Sequence, residues 1–236
     1  VLLCLVCSVI VSVTAIVLRP IQNANKTLDF KRNILMVAGV YREGMNVEQA
    51  FEQTITRKIV DLRTGMFNTQ VDPRTFDQRA AAKDPATSMA LSEREDIAKI
   101  GRREHLSQVY FVVENGQIKT IVLPIKGYGL WSTLYGFIAL KPDGNTVENI
   151  IYYQHAETPG LGGEVDNPKW RALWANKEVY GADNSVALTV IKGHVDTAAP
   201  NGKYQVDGLA GATLTSKGVD NMLQFWLGEQ GYQPFL

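Results

Sequence analysis

The pattern of apolar and polar residues separates an apolar start from a soluble remainder. Residues 1–18 carry no charged side chain, and the first charge is Arg19, followed at once by Pro20. At 1.5 Å per residue, 18 helical residues span about 27 Å, close to the thickness of a hydrocarbon core. The pattern therefore predicts a transmembrane anchor over 1–18 that ends at Arg19-Pro20.

A cleaved signal peptide is the alternative for this segment. Such a peptide has a shorter apolar core and a small-x-small cleavage site, and the segment contains no good Ala-x-Ala. Cys4 and Cys7 both lie within it. Their C-x-x-C spacing also occurs in metal and redox sites, but within an apolar run we predict small side chains that face lipid or a partner helix.

The soluble part changes from a helical period to a period of two near residue 108. Before that point, the pattern predicts helical segments at 21–40, 46–60 (capped by Asn46) and 92–100. After it, alternation predicts strands at 109–113, 118–125, 134–140, 147–153 and 186–191, with Asn-Gly and Pro-Asp-Gly turns in the two hairpins. Further helices are predicted at 169–176 and 215–227.

This order predicts an α+β fold, an antiparallel-rich sheet with flanking helices, preceded by one N-terminal transmembrane helix. We expect three parts along the chain. The anchor covers 1–18, a helical connector and the N-terminal part of the soluble region cover 19–100, and a ligand-binding domain covers 101–236.

Composition and charge exclude several classes of function. The 24 Lys and Arg balance 24 Asp and Glu, so no basic excess favours nucleic acid. Because no cysteine follows Cys7, no disulfide framework or iron–sulfur cluster is expected in the body of the chain. The three histidines, His105, His155 and His194, lack metal-ligand spacing, and no nucleophile elbow occurs. We therefore expect neither a metal site nor an acid/base catalytic centre.

Three segments rich in glycine and small polar residues are the candidate chemistry. They cover 127–132, 155–163 and 207–217, and each adjoins a predicted strand or helix. Glycine lets backbone N–H groups approach a ligand closely, and the third segment also opens a helix, where a phosphate would be favoured. Each segment taken alone is also compatible with an ordinary tight turn. Together they indicate a protein that holds a redox cofactor, which then supplies the chemistry.

The three segments carry a resemblance to a known family. Asp207-Gly208-Leu209-Ala210-Gly211-Ala212-Thr213 resembles the flavinylation motif D-G-x-[ST]-G-A-T of the FMN-binding domain family. The run 157–162, E-T-P-G-L-G, and the segment 129–132 before it resemble two further motifs of that family, in the same order. The apolar start and the ending at 225–235 resemble the C-subunit family of Na+-translocating NADH:quinone reductases.

The resemblance implies that 101–236 is an FMN-binding domain. In the family, a flavin transferase attaches FMN to the last threonine of the motif through a phosphoester bond, which here is Thr213. Thr215 is the nearest rival hydroxyl. By the same resemblance, the phosphate is surrounded by Gly211, Ala212, Leu214, Thr215 and Lys217. The flavin is lined by Glu157, Thr158, Gly160, Leu161, Gly162, Leu130, Trp131 and Ser132. Trp131 packs on the flavin ring or in the core.

One position departs from the family pattern. Ala210 stands where the family has Ser or Thr, so a hydroxyl that transferase recognition or a turn could use is missing. The residues from Gly211 to the acceptor are intact, and modification is still expected.

The implied function is electron transfer within a membrane complex that oxidises NADH, reduces ubiquinone and exports Na+. The protein would relay electrons from an iron–sulfur centre to the next flavin, with both centres on neighbouring subunits. The resemblance also implies a bacterial inner-membrane location with a periplasmic domain. Two alternatives stay open: the equivalent subunit of an Rnf-type ferredoxin:NAD reductase, and an unflavinated membrane-anchored scaffold.

Overall fold

The first element is one long helix that joins the apolar segment to the soluble domain. A computed structural model describes residues 2–236. In it, α1 (Leu2–Val37) continues through Pro20, so Arg19-Pro20 does not end the helix, and the end of the membrane-spanning part at residue 18 stays a prediction. Proline removes one hydrogen bond, but the far end of the helix is held by tertiary packing, with Ile34 and Leu35 fully buried. The helix closes before Gly39, which adopts a positive φ of 72°.

The next helix is shorter than the period predicted. Asn46 caps α2 (Val47–Thr54) as expected, its side chain accepting a hydrogen bond from the Gln49 N–H. The predicted continuation to residue 60 is wrong, because β1 (Ile55–Asp61) begins directly afterwards. Isoleucine and valine at these positions satisfy a helical period and a strand equally well. Pairing with a later strand decides between the two, since β-branched residues pack well in sheets.

A six-stranded antiparallel sheet forms the centre of the domain, in the order β2-β1-β5-β6-β7-β8. Its remaining strands are β2 (Phe67–Asn68), β5 (Leu106–Glu114), β6 (Gln117–Tyr128), β7 (Thr133–Leu140) and β8 (Val147–Gln154). The two predicted hairpins are confirmed. Asn115 and Gly116 have φ of 52° and 77°, as the tight turn between β5 and β6 requires.

Shorter elements flank the sheet. They are α3 (Gln78–Lys83), β3 (Ser88–Ala90), β4 (Arg102–Glu104), 3-10 turns at Gly162–Asp166 and Gly202–Tyr204, α4 (Pro168–Ala172), β9 (Thr189–Val190) and β10 (Gln205–Val206). The helix predicted at 92–100 is wrong. That segment consists of turns, in which the Asp96 carboxylate accepts hydrogen bonds from the N–H groups of Ile100 and Gly101.

Each face of the sheet carries its own apolar layer. The last helix, α5 (Thr213–Trp226), packs on one face with Met222, Leu223 and Trp226 fully buried. The end of α1 and α2 cover part of the opposite face through Leu35 and Phe51. The predicted fold class is therefore confirmed. The division of the chain at residue 101 stays a prediction, and the sheet takes strands from both sides of it.

Candidate functional site

The start of α5 offers an open set of backbone donors. Its cap residue, Ala212, provides no side-chain hydrogen bond, and the first turn contains no acidic residue. Within residues 2–236, the N–H groups of Thr213, Leu214 and Thr215 donate to no acceptor. The first N–H groups of a helix are satisfied by capping side chains, water or ligands, and they favour an anion, so the start of α5 suits a phosphate.

The two threonines of this turn have opposite environments. Thr213 is exposed at the first helical position, whereas Thr215 is only 1% exposed. The Thr215 hydroxyl donates a 2.7 Å hydrogen bond to Oε2 of Glu157. One threonine is therefore exposed to solvent, and the hydroxyl of the other is occupied inside the protein.

Glu157 connects all three glycine-rich segments. Its Oε1 accepts hydrogen bonds from the N–H groups of Leu130 (3.1 Å), Trp131 (2.9 Å) and Ser132 (3.2 Å), while its Oε2 holds Thr215. The side chain is 5% exposed. Glu157 therefore acts as a buried anchor between the loop 129–132 and α5, which a role limited to lining the flavin would not require.

The same contacts set the ionisation of Glu157. Burial is the largest single influence and opposes the charged form, but the hydrogen bonds from Thr215 and from the three backbone N–H groups together outweigh it. They lower the pKa of the Glu157 carboxyl below its ordinary value. The anchor is consequently a carboxylate at neutral pH.

Several glycines of the motifs are required by close packing. A Cβ on Gly162 would lie 2.5 Å from Oγ1 of Thr215, and one on Gly129 would lie 2.7 Å from Oε1 of Glu157. A Cβ on Gly218, inside α5, would lie 2.4 Å from the carbonyl oxygen of Tyr128. Gly218 is not among the predicted site residues, although a glycine in the middle of a helix is itself a signal of close approach.

The first residues of the third segment shape the chain before α5. The Asp207 carboxylate accepts hydrogen bonds from His194 (2.7 Å) and the Val195 N–H (2.8 Å). A Cβ on Gly208 would lie 2.4 Å from the Ile191 carbonyl oxygen. Ala210 is exposed, so the missing hydroxyl at that position leaves no buried gap.

Exposed apolar side chains surround the open helix end. Leu214 is 62% exposed and Trp131 is 65% exposed, so Trp131 is not a core residue. Leu161 lies beside Gly211, because a Cβ built on that glycine would be 3.0 Å from Leu161 Cδ2. This arrangement of exposed apolar groups beside free N–H donors fits the ring and the phosphate of FMN.

Other predicted residues lie at the rim. Thr158 and Gly160 are exposed, and Gly160 has a φ of 76°. Lys217 is mostly exposed and pairs with Asp220 at 2.8 Å, so its charge is already partly balanced. The site is an open surface. A separate cleft of about 880 Å³ on the α1 side of the sheet contains none of the predicted flavin residues.

Comparison with known proteins agrees with this geometry. The sequence profile of the FMN-binding domain family matches residues 129–228, which include the loop 129–132, Glu157 and all of α5. The fold and the site thus define a flavoprotein domain of the FMN-binding class, behind one helix long and apolar enough to cross a membrane.

Curated relatives identify the family more closely. The chain is 55% identical over 236 residues to the C subunit of the Na(+)-translocating NADH-quinone reductase of Pseudomonas aeruginosa, covering 99% of this chain and 90% of that protein. It is 48% identical to the C subunit from Haemophilus ducreyi, covering 100% of this chain and 90% of that protein. The chain belongs to the C-subunit family of Na+-translocating NADH-quinone reductases, which are oxidoreductase complexes.

Solved structures of the family share the fold. The crystal structure of Shewanella oneidensis NqrC matches with a TM-score of 0.81 at 34% identity, covering 90% of this chain and 96% of that one. The crystal structure of the C subunit from Parabacteroides distasonis matches with a TM-score of 0.71 at 27% identity, covering 92% and 96%. The N-terminal apolar helix fits a single-pass membrane anchor of such a subunit.

Proposed function

We propose that this chain carries FMN covalently on Thr213 and transfers electrons within a Na+-translocating NADH:quinone reductase. The single observation that carries the proposal is the exposed residue Thr213 at the uncapped start of α5. A phosphate esterified to that oxygen would meet three free N–H groups and the positive end of the helix dipole.

The remaining contacts follow from the three segments. Gly211, Ala212, Leu214 and Lys217 would surround the phosphate from the side of α5. The exposed side chains of Leu130, Trp131 and Leu161 would cover the flavin ring, and aromatic stacking on Trp131 would add to its binding. Thr158, Gly160, Gly162 and Ser132 would complete the rim, while Glu157 and Thr215 hold the rim in place from beneath.

Attachment requires an activated phosphate. The Thr213 oxygen would form a bond to the phosphorus of a flavin phosphoanhydride, while the anhydride P–O bond would break, a nucleotide phosphate would leave, and the hydroxyl proton would be released. A flavin transferase would act transiently as the partner that catalyses this exchange. The tether prevents loss of the cofactor from a domain outside the cytoplasm.

The chemistry that bound FMN supplies is reversible electron transfer. The protein would accept electrons from an iron–sulfur centre on one neighbouring subunit and pass them to the next flavin on the path to ubiquinone. Na+ export would be the coupled function of the assembled complex. The names of the relatives favour this role over that of an Rnf-type subunit.

The soluble domain is proposed to lie on the periplasmic side of a bacterial inner membrane. The segment after the anchor carries Arg19, Lys26, Lys31 and Arg32 against Asp29, which would favour the cytoplasm by the positive-inside rule. That rule is weak for long translocated domains. The family resemblance therefore decides the proposed orientation.

The attachment is tested by expressing wild type, Thr213→Ala, Thr213→Ser and the control Thr197→Ala together with the flavin transferase. Thr197 is an exposed threonine outside the three segments. After denaturing electrophoresis, wild type and Thr197→Ala should fluoresce under ultraviolet light, and Thr213→Ala should fold but stay dark. Thr213→Ser should recover part of the signal. A fluorescent band from Thr213→Ala would refute the assignment, and a dark wild-type band would favour an unflavinated scaffold.

A further inference from the structure

Two hydroxyls stand two positions apart in the acceptor segment, and the attachment reaction must choose between them. Thr213 and Thr215 both belong to the first turn of α5 and both belong to a Thr-Leu-Thr run. Their spacing along the helix is about 3 Å of rise, which is small compared with a flavin or an enzyme active site. Proximity alone therefore cannot restrict modification to one threonine.

The structure separates the two hydroxyls through Glu157. Thr215 Oγ1 donates to Glu157 Oε2 at 2.7 Å, and both side chains are buried. Gly162 closes over this contact, since a Cβ there would lie 2.5 Å from Thr215 Oγ1 and 2.8 Å from Glu157 Oε2. The Thr215 oxygen is consequently covered and its proton is committed to a carboxylate.

Glu157 is itself held so that it cannot leave this position easily. Its other oxygen accepts hydrogen bonds from three successive backbone N–H groups of the loop 130–132. Charge-assisted hydrogen bonds of this kind are roughly twice as strong as neutral ones. Releasing Thr215 would therefore require either moving the loop or losing the partner of a buried carboxylate.

We propose that Glu157 is the specificity-determining residue for flavin attachment, because it buries and occupies the Thr215 hydroxyl and leaves Thr213 as the acceptor. The inference rests on the proposed attachment to Thr213. In the transfer step, the attacking oxygen must reach phosphorus while the anhydride bond breaks and a nucleotide phosphate departs. Thr213 can present its oxygen at the surface, whereas Thr215 cannot while the contact with Glu157 persists. Glu157 is a positioning residue in this scheme and makes no bond to the flavin.

The test measures where the flavin is attached on full-length protein expressed with the transferase. Trypsin cleavage after Lys203 and Lys217 gives one peptide, 204–217, that contains both threonines. Fragment masses then assign the label to one residue or the other. The variants are Glu157→Ala, Thr213→Ala and the double variant. Glu164→Ala is the matched control, a carboxylate in the same loop that bonds the Asn167 side chain instead.

In wild type and Glu164→Ala, we expect the label on Thr213 only. Thr213→Ala should carry none. Glu157→Ala should place label on Thr215 at a level about tenfold or more above the detection limit that bounds Thr215 labelling in wild type, and the double variant should be labelled on Thr215. Labelling of Thr215 in Thr213→Ala would overturn the inference. Because this variant changes only an exposed side chain, it tests the inference even if Glu157→Ala fails to fold.

A folded Glu157→Ala protein with its label still confined to Thr213 would also overturn the role of Glu157. These failures differ from a failure of the proposed function, in which wild type itself would carry no flavin on Thr213.

Discussion

Replacing Glu157 by glutamine tests whether the buried carboxylate holds the three segments together. Glutamine has the same size and can keep one acceptor oxygen toward the N–H groups of Trp131 and its neighbours. It removes the charge and turns the second oxygen into a donor that faces Thr215. The substitution therefore separates the effect of the Glu157 charge on stability from the effect of its side-chain volume.

The expected cost follows from the hydrogen bonds. Bonds to a charged group contribute about 1.5–3 kcal/mol each and neutral ones about 0.5–1.5 kcal/mol. The N–H groups of the loop keep an acceptor oxygen that is now neutral, and water can reach this exposed loop, so only part of that difference is lost. We expect a loss of about 2 kcal/mol in the free energy of unfolding at pH 7, mainly from the buried contact with Thr215. For a chain of this size, that corresponds to roughly 4–8 °C in Tm.

The pH dependence provides the sharper test. Because the pKa of Glu157 is lowered in the folded protein, its contribution is fully present above the ordinary glutamate pKa of about 4.3 and is lost as pH falls through the folded pKa. The stability gap between wild type and Glu157→Gln should therefore shrink on acidification below about pH 4.

The assay is unfolding of detergent-solubilised full-length protein at pH 7, 5 and 3.5, followed by tryptophan fluorescence. Glu114→Gln is the control, since Glu114 is exposed in a hairpin, and its stability should stay within about 0.5 kcal/mol of wild type. A gap of the same size at all three pH values, or no gap at pH 7, would refute the reasoning.

Three further outcomes are expected. Gly162→Ala should destabilise the protein by about 1–3 kcal/mol in denaturant titration, because its Cβ would overlap Thr215 Oγ1. Trp131→Ala should unfold within about 0.5 kcal/mol of wild type, since Trp131 is largely exposed, but should change the fluorescence yield of the bound flavin. Ser185→Cys, in an exposed turn, should react with a membrane-impermeant maleimide added to intact spheroplasts; labelling only after lysis would contradict the periplasmic orientation.

Sequence periodicity predicted the central sheet well and the N-terminal half poorly. The strands β5 to β8 have strong alternation and specific turns, so local signals identify them. The segment from Ile55 to Val60 fits both a helical and an alternating period, and only its pairing with β5 decides. The helix predicted at 92–100 is wrong because the Asp96 carboxylate accepts hydrogen bonds from the N–H groups of Ile100 and Gly101. These bonds form a turn in place of the helix.

The candidate site residues came from motif resemblance, and the motifs did not assign their separate roles. Motif resemblance brought together segments whose first residues lie up to 80 positions apart, 127 and 207, and the structure places them around the start of α5. The resemblance does not distinguish a residue that faces the ligand from one that supports it. Glu157 and Thr215 belong to the second group because their polar atoms are occupied by each other and by backbone groups.

The sequence by itself determined the apolar anchor, the antiparallel hairpins and the membership of the three motifs, because each depends on neighbouring residues or on a short pattern. Only the tertiary structure decided that α1 continues through Pro20, that β1 joins the sheet, and that one threonine is exposed while the other is buried. These features depend on contacts between residues far apart in the chain. A local pattern contains no information on which partner a strand finds or which hydroxyl a distant carboxylate covers.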